Sequence, residues 1–228
     1  MSARESRFRG LTIISGIFII SVAATIVLDP FDLAWTGRFF TEGGQNAGWI
    51  LGRQFPWAEL YRYGEIPPLL FALCALLVLV ASKAGKVNPA YARPCLVVIL
   101  TVAIGPGVLV NGFLKEYWGR PRPADIQAFG GNSEYRKVWQ PGGPGSGKSF
   151  TCGHCAMAFS VVSGAAFYRL HPGFAAGCAA IGLSYGLIMS IGRMAQGGHF
   201  PTDALWSASI VLMVLAWLYY LVLRIPDQ

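Results

Sequence analysis

Charge is scarce in this sequence. Asp, Glu, Lys and Arg make up 13% of its 228 residues, where a soluble domain carries about 25%. That shortage argues against an ordinary soluble enzyme. The 54% hydrophobic content excludes a disordered chain, which needs low hydrophobicity and high charge. Histidine is scarcer still, with three copies, and acidic residues number 11 against 18 basic ones.

In place of charge there are long apolar runs. Residues 11–28, 66–82, 95–114, 173–192 and 204–223 contain no charged side chain. A bilayer core about 30 Å thick takes about 20 apolar helical residues, so each run can cross it. The shorter run 155–168 qualifies when Gly153 and His154 lie at its mouth. The sequence therefore predicts an all-α fold. One integral membrane domain covers 1–228 as a polytopic bundle of six transmembrane helices, near 11–28, 66–82, 95–114, 153–168, 173–192 and 204–223. The first run is read as a span rather than a secretory signal. It is long for a signal, and the following "DPFDLAW" has no small-x-small cleavage site.

Basic residues in short loops set the expected orientation. Arg4, Arg7 and Arg9, then Lys83, Lys86 and Arg93, then Arg169 and Arg224 all fall on one side, which places both termini in the cytoplasm. The first connection balances Arg38, Arg53 and Arg62 with Asp29, Asp32, Glu42, Glu59 and Glu65, so it belongs outside. Its aromatics, among them Trp35, Trp49, Trp57 and Tyr61, suit a helix lying at the interface, the alternative being a plain loop.

Much of the net charge of +7 is this cytoplasmic collar, so it is not read as a nucleic-acid footprint. The rest, Lys115, Arg120, Arg122, Arg136, Lys137 and Lys148, lies in the third connection, against the positive-inside bias. Basic residues there predict an anionic partner, a phospholipid or glycolipid at the membrane surface. The oligomeric state is not encoded legibly.

Two local motifs compete for attention. Residues 142–149, GGPGSGKS, fit the phosphate-loop pattern G-x-x-x-x-G-K-[ST]. That loop works between a buried strand and a helix, whereas polar "EYRKVWQP" precedes it here. A nucleotide-dependent protein is therefore a remote alternative. The glycines are read as letting the loop fold closely over a site, with Lys148 a possible anion contact. Cys152 and Cys155 form C-x-x-C. Zinc would need a second ligand pair, and a thioredoxin-like site would need a βαβ pattern. An external pair is open to a disulfide, although this one would open a helix.

The main signal is distributed. "KEYWGRPRP" carries Lys115, Arg120, Arg122 and Pro123. "SFTCGHC" carries Cys152, Gly153 and His154. "GRMAQGGHFPTD" carries Arg193, His199 and Asp203. Each sits at the outer end of a predicted span, so the three converge at one membrane face. Lys115, Arg122 and Arg193 can neutralise phosphate oxygens, with Arg120 a further contact. Free amides at Cys152 and Gly153, opening a helix, add donors. One histidine can attack phosphorus while the other protonates the leaving alcohol. His199 and Asp203 are four apart, so on one helical turn they share a face and the carboxylate can orient the ring. His171, in "RLHPG", lacks such a cluster and reads as structural. Small residues at four-residue spacing (Ala156, Ser160 and Gly164; Gly173 and Gly177; Gly182 and Gly186) suit close helix packing.

These three motifs resemble the type 2 phosphatidic acid phosphatase superfamily, which also includes vanadium haloperoxidases. The family pattern is K-x6-R-P, P-S-G-H and S-R-x5-H-x3-D. Thr151, Cys152 and Gly192 depart from it, and Cys152 offers a weaker donor than the family serine. The resemblance implies a helical bundle. It implies a phosphohistidine on His199, His154 as acid and Asp203 orienting His199. Lys115, Arg122 and Arg193 would hold phosphate, with no metal or other cofactor. The finer pattern looks most like bacterial lipid A phosphatases, especially the 4'-phosphatases. That implies a lipid A phosphate cut at the periplasmic face of the inner membrane. Phosphatidylglycerophosphate or undecaprenyl pyrophosphate hydrolysis is the alternative within the family. A transporter would need ionisable residues inside the spans, and the runs carry none.

Overall fold

The fold was read from a computed structural model, which describes residues 3–43 and 48–225. Among them every regular element is helical. In chain order they are α1 (Ala3–Leu28), α2 (Asp32–Gly37), α3 (Trp57–Tyr63), α4 (Ile66–Lys83), α5 (Ala92–Val102), α6 (Lys115–Tyr117), α7 (Gly153–Phe159), α8 (Pro172–Ala195) and α9 (Pro201–Ala216). Between α5 and α6 the chain continues as a π-helical stretch, Ala103–Leu114, around Pro106, whose ring cannot donate to the ladder.

Among the described residues five helical stretches are long and apolar enough to cross a membrane: Arg4–Gly37, Trp57–Lys83, Pro89–Tyr117, Pro172–Ala195 and Pro201–Val222. The sixth predicted span is the shorter apolar helix Gly153–Phe167. Its second half, Ser160–Phe167, is a 3-10 helix. At about 2.0 Å rise per residue against about 1.5 Å for α, the element reaches about 26 Å. The predicted interfacial helix is instead a set of short turns. Leu51–Arg53 is a single 3-10 turn, and α3 runs on almost directly into α4. Phe55-Pro56 lies between that 3-10 turn and α3, and proline interrupts helical bonding.

Packing explains which faces turn inward. Phe18, Ile19, Ile20, Leu69, Leu70 and Leu77 point outward, as side chains solvated by lipid do. Val97, Val110, Ala156, Phe159, Met189 and Val211 fill the interior. Hydrogen bonds join α1 to α9: Ser21 Oγ lies 2.6 Å from Ser209 Oγ, and Trp206 Nε1 donates to Thr25 Oγ1 at 2.9 Å. Such interhelical bonds contribute about 0.6 kcal/mol each on average. The Gly182 and Gly186 pair does close packing. A Cβ on Gly182 would lie 2.5 Å from the Val162 amide nitrogen, and one on Gly186 would lie 2.1 Å from the Phe159 ring. Gly173 and Gly177, by contrast, face open space.

This difference is testable. Gly182→Val should cost about 1–3 kcal/mol through overpacking, while Gly177→Val should leave thermal unfolding in detergent nearly unchanged. Equal melting of the two variants would contradict the packing described.

Candidate active site

The site lies where four helix ends meet. Lys115 opens α6, His154 is in the first turn of α7, Arg193 is in the last turn of α8, and Asp203 is in the first turn of α9. Arg122 follows α6 in extended backbone. His199 sits in the short turn between α8 and α9. Gly197 adopts φ +63, a left-handed conformation that favours glycine. Gly198 donates to the Arg193 carbonyl at 2.9 Å, and a Cβ on it would lie 2.5 Å from the Arg193 guanidinium. These two glycines therefore fold His199 back beside Arg193.

The charged groups converge as the spacing predicts. Arg122, Arg193, Glu65 and Lys148 are charged neighbours of Lys115. Arg193 and Lys115 both act on His199, and both act on His154. Among the described residues no three His, Cys, Asp or Glu side chains come together as a metal-binding group. The Nε atoms of Arg122 and Arg193 are buried without a hydrogen-bond partner among the described residues. Arg193 donates through Nη1 to Gln196 Oε1 and lies 4.6 Å over the Tyr61 ring. His154 also stacks on Tyr61 at 4.9 Å, and its Nε2 lies 3.2 Å from the Tyr61 carbonyl. Glu65 is 3.5 Å from His154 Nδ1.

His199 is almost fully enclosed, with 2% exposure. Its Nδ1 donates to the Ser149 carbonyl at 2.6 Å. A carbonyl only accepts, so the proton sits on Nδ1 and the Nε2 lone pair is free. Asp203 Oδ2 is further away, 3.8 Å from Nδ1. Burial lowers the imidazole pKa to about 4. Asp203 opposes that shift, and the nearby Arg193 and Lys115 reinforce it. The ring is thus neutral at neutral pH.

Asp203 is held from elsewhere. Its Oδ2 accepts from Ser149 Oγ at 2.6 Å and from the Phe200 amide at 2.9 Å. Its Oδ1 accepts from Arg120 Nη1 at 2.6 Å. Ser149 therefore bridges the pair, its carbonyl on the histidine and its hydroxyl on the aspartate. Asp32 completes the network. It pairs with Arg120 Nη2 at 2.7 Å, accepts from Thr202 Oγ1 at 2.6 Å and accepts from the Thr202 amide at 3.1 Å.

Three expectations are corrected. Arg120 is no anion contact: it is fully buried, its charge is spent on Asp32 and Asp203, and its Nε donates to the Arg136 carbonyl at 2.8 Å. Burial disfavours its charge, but the two carboxylates outweigh that and raise its pKa. Cys152 offers no thiol. It caps α7 and is disulfide-bonded to Cys155, because the first helical turn brings their Cα atoms to 5.2 Å, within bridging range. Lys148 is committed to Glu116 at 2.8 Å, on an exposed rim.

The loop 142–149 is not a nucleotide cradle. The Gly142 and Gly143 amides donate to the Trp118 carbonyl, and the Ser149 amide donates to the Arg120 carbonyl. A Cβ on Gly119 would lie 1.9 Å from the Gly143 carbonyl oxygen. The glycines lay this loop backbone to backbone on residues 118–121. Gly153 also makes a close approach, since a Cβ there would lie 2.4 Å from Asn111 Oδ1. Asp32, Tyr61 and Glu65 escaped the motif reading because none belongs to a motif, and Ser149, which closes the GGPGSGKS pattern, was read there only as part of a loop. A signal existed for Asp32 and Glu65 only in their position, as acidic residues flanking apolar runs.

A family model described as the PAP2 superfamily matches residues 92–226. Curated proteins named Lipid A 4'-phosphatase are similar to the chain. The one from Francisella tularensis subsp. novicida is 28% identical over 86% of this chain and 87% of its own. The one from Rhizobium leguminosarum is 29% identical over 73% and 75%. The one from Rhizobium etli is 28% identical over 73% and 68%. No solved structure matches.

Two predictions follow from the geometry. Arg120→Met leaves two buried carboxylates uncompensated and should cost about 3–5 kcal/mol of stability, with Asp32→Asn milder because its shape and one acceptor survive. Thermal unfolding reads both, and an unshifted Arg120→Met would refute the network. In 15N histidine spectra of the protein in detergent, His199 should remain the neutral Nδ1–H tautomer at pH 5 and protonate only near pH 4. Protonation near 6.5 would contradict the buried, carbonyl-bonded ring.

Proposed function

The chain belongs to the PAP2 superfamily, and from that premise we propose that it is a membrane lipid phosphatase that removes a phosphate monoester from a lipid A-type glycolipid, the 4' position being favoured. The observation that carries this reading is the setting of His199. It is buried, neutral and proton-bearing on Nδ1, among Lys115, Arg122 and Arg193.

Lys115, Arg122 and Arg193 bind the phosphate oxygens, the guanidiniums through paired donors. His199 Nε2 attacks phosphorus, and the bond to the lipid oxygen breaks. That oxygen takes a proton from His154, and the phosphoryl group is left on His199. Water, deprotonated by His154, then attacks phosphorus and frees His199 with inorganic phosphate. As His199 gains positive character, Asp203 at 3.8 Å stabilises it. Positive charge comes from side chains throughout, so the proposed mechanism needs no metal or other cofactor. In this reading the amides of Cys152 and Gly153, at the start of α7, serve as further donors.

The proposed topology has six spans in one domain of a bacterial inner membrane, termini in the cytoplasm and the site at the periplasmic face. Its support is the distribution of basic residues. The names of the similar proteins support the substrate.

His199→Ala should reduce phosphate release to background in a folded protein, and His154→Ala should lose roughly 10²–10⁴-fold, the usual contribution of a general acid. Asp203→Asn should lose less than His199→Ala. Wild-type turnover by folded His199→Ala would end the assignment. Mass spectrometry of lipid A from expressing cells tests the substrate, with loss of one phosphate expected. Unchanged lipid A beside efficient phosphatidylglycerophosphate hydrolysis would remove the substrate and leave the reaction class. Phosphate release should be blocked by vanadate and should persist in EDTA.

A further inference from the structure

The phosphate-binding arginines also line a cavity. It measures about 520 Å³, a size that accepts a small-molecule headgroup, and Arg53, Tyr61, Arg62, Arg122, Arg193 and Gln196 surround it. Four arginines line it, and no Asp or Glu among the described residues does. Arg122 and Arg193 belong to the phosphate cluster described above. Arg53 and Arg62 come from the first connection, outside every motif, and both are exposed. Neither makes an ion pair among the described residues.

Their placement is built. Gln196, which holds Arg193 through its carbonyl oxygen, donates through Nε2 to the Trp57 carbonyl at 2.8 Å and the Gly52 carbonyl at 3.3 Å. Gly52 packs so closely on the end of α8 that a Cβ would lie 2.5 Å from the Ala195 carbonyl oxygen. Trp57 packs on Gly192. One glutamine therefore ties the turn carrying Arg53 and the helix carrying Arg62 to the arginine that contacts phosphate. Tyr61, one residue before Arg62, lies under the Arg193 guanidinium.

Charge balance then decides what the cavity holds. A phosphomonoester carries about −1.5 to −2 near pH 7. That charge is matched by Arg122 and Arg193 alone, before Lys115 is counted. Arg53 and Arg62 are surplus to it, and their like charges repel the others unless a second anion is present. Arginine forks suit phosphate or carboxylate.

We propose that Arg53 and Arg62 form a second anion subsite, which holds an anionic group of the substrate headgroup other than the phosphate that is cut. The group is a second phosphate or a carboxylate on the same headgroup. The two residues thereby select headgroups with two anionic groups over simple phosphate monoesters. This rests on the reading of Arg122 and Arg193 as the site of the reacting phosphate.

The test measures binding apart from turnover. Full-length His199→Ala protein in nonionic detergent is titrated calorimetrically with glucose 6-phosphate, glucose 1,6-bisphosphate and 6-phosphogluconate, then again with Arg53→Gln and Arg62→Gln added. Before these additions, a two-anion probe should bind at least about tenfold tighter than glucose 6-phosphate, the scale of a charge-assisted contact. After them, the ratio should fall to about one to two while glucose 6-phosphate keeps its affinity, since its contacts are untouched. Tighter binding of the bisphosphate alone assigns the second group as phosphate, and of 6-phosphogluconate alone as carboxylate. Equal affinities before the substitutions, or a ratio that survives them, overturns the subsite. Failure of glucose 6-phosphate to bind overturns the reading of the phosphate site itself. Matching unfolding temperatures of the two proteins establish that the substitutions leave the fold intact.

Discussion

Arg120 is the group on which the geometry of the site depends. It is wholly buried between Asp32 at the start of α2 and Asp203 at the start of α9, and it stacks 4.4 Å over the Phe200 ring. Desolvating a guanidinium and two carboxylates costs several kcal/mol per ion unless each is paired with good geometry. That requirement is what fixes three distant chain segments together, because no arrangement that separates them satisfies the charges. The remaining valences are filled by Thr202, Tyr135 and the Arg136 carbonyl. The trio carries one net negative charge, and it lies on the Nδ1 side of His199. In the proposed mechanism a buried anion there need not move to meet the developing imidazolium. It is already in place, which is how a preorganised site lowers a barrier.

How much of this was legible depends on whether a residue acts through type and spacing or through tertiary placement. Lys115, Arg122, His154, Arg193, His199 and Asp203 stand at fixed intervals at the ends of uncharged runs, and helix ends meet when runs pack side by side. Their convergence was therefore readable. Asp32 lies 88 residues from Arg120 along the chain, and no local pattern reports such a pairing. Ser149 contributes a carbonyl, which every residue has, so its part in setting the His199 tautomer leaves no mark in the sequence. Arg120 was misread because an arginine beside a phosphate motif and an arginine under one look alike in sequence; only burial distinguishes them.

The bundle was legible from run length, and its deviations have local causes. Proline displaces regular helix in the first connection and at Pro106. The last of the short runs gains reach as a 3-10 segment, at the price of poorer hydrogen-bond geometry. Cys152 was weighed as a thiol donor because C-x-x-C has several uses, a disulfide among them. The deciding fact is that it caps a helix whose first turn returns Cys155 to it.

The scarcity of charge in the chain and the density of charge at the site are parts of one design. Spans that cross lipid cannot carry unpaired charge, so cations collect at the helix ends, where the connections are short and backbone atoms crowd. There each cation needs a defined role. Arg120 is neutralised by two buried carboxylates and becomes structure. Lys148 is paired with Glu116 at the rim. Arg122 and Arg193 keep buried, unpartnered Nε donors beside a histidine that burial holds neutral. A protonated His199 would add another positive charge to that group, so Arg193 and Lys115 reinforce the effect of burial in keeping the ring neutral. In the proposed mechanism an arriving dianion relieves that repulsion where it meets the free Nε2 lone pair, so phosphate binding and a neutral histidine belong to one electrostatic arrangement.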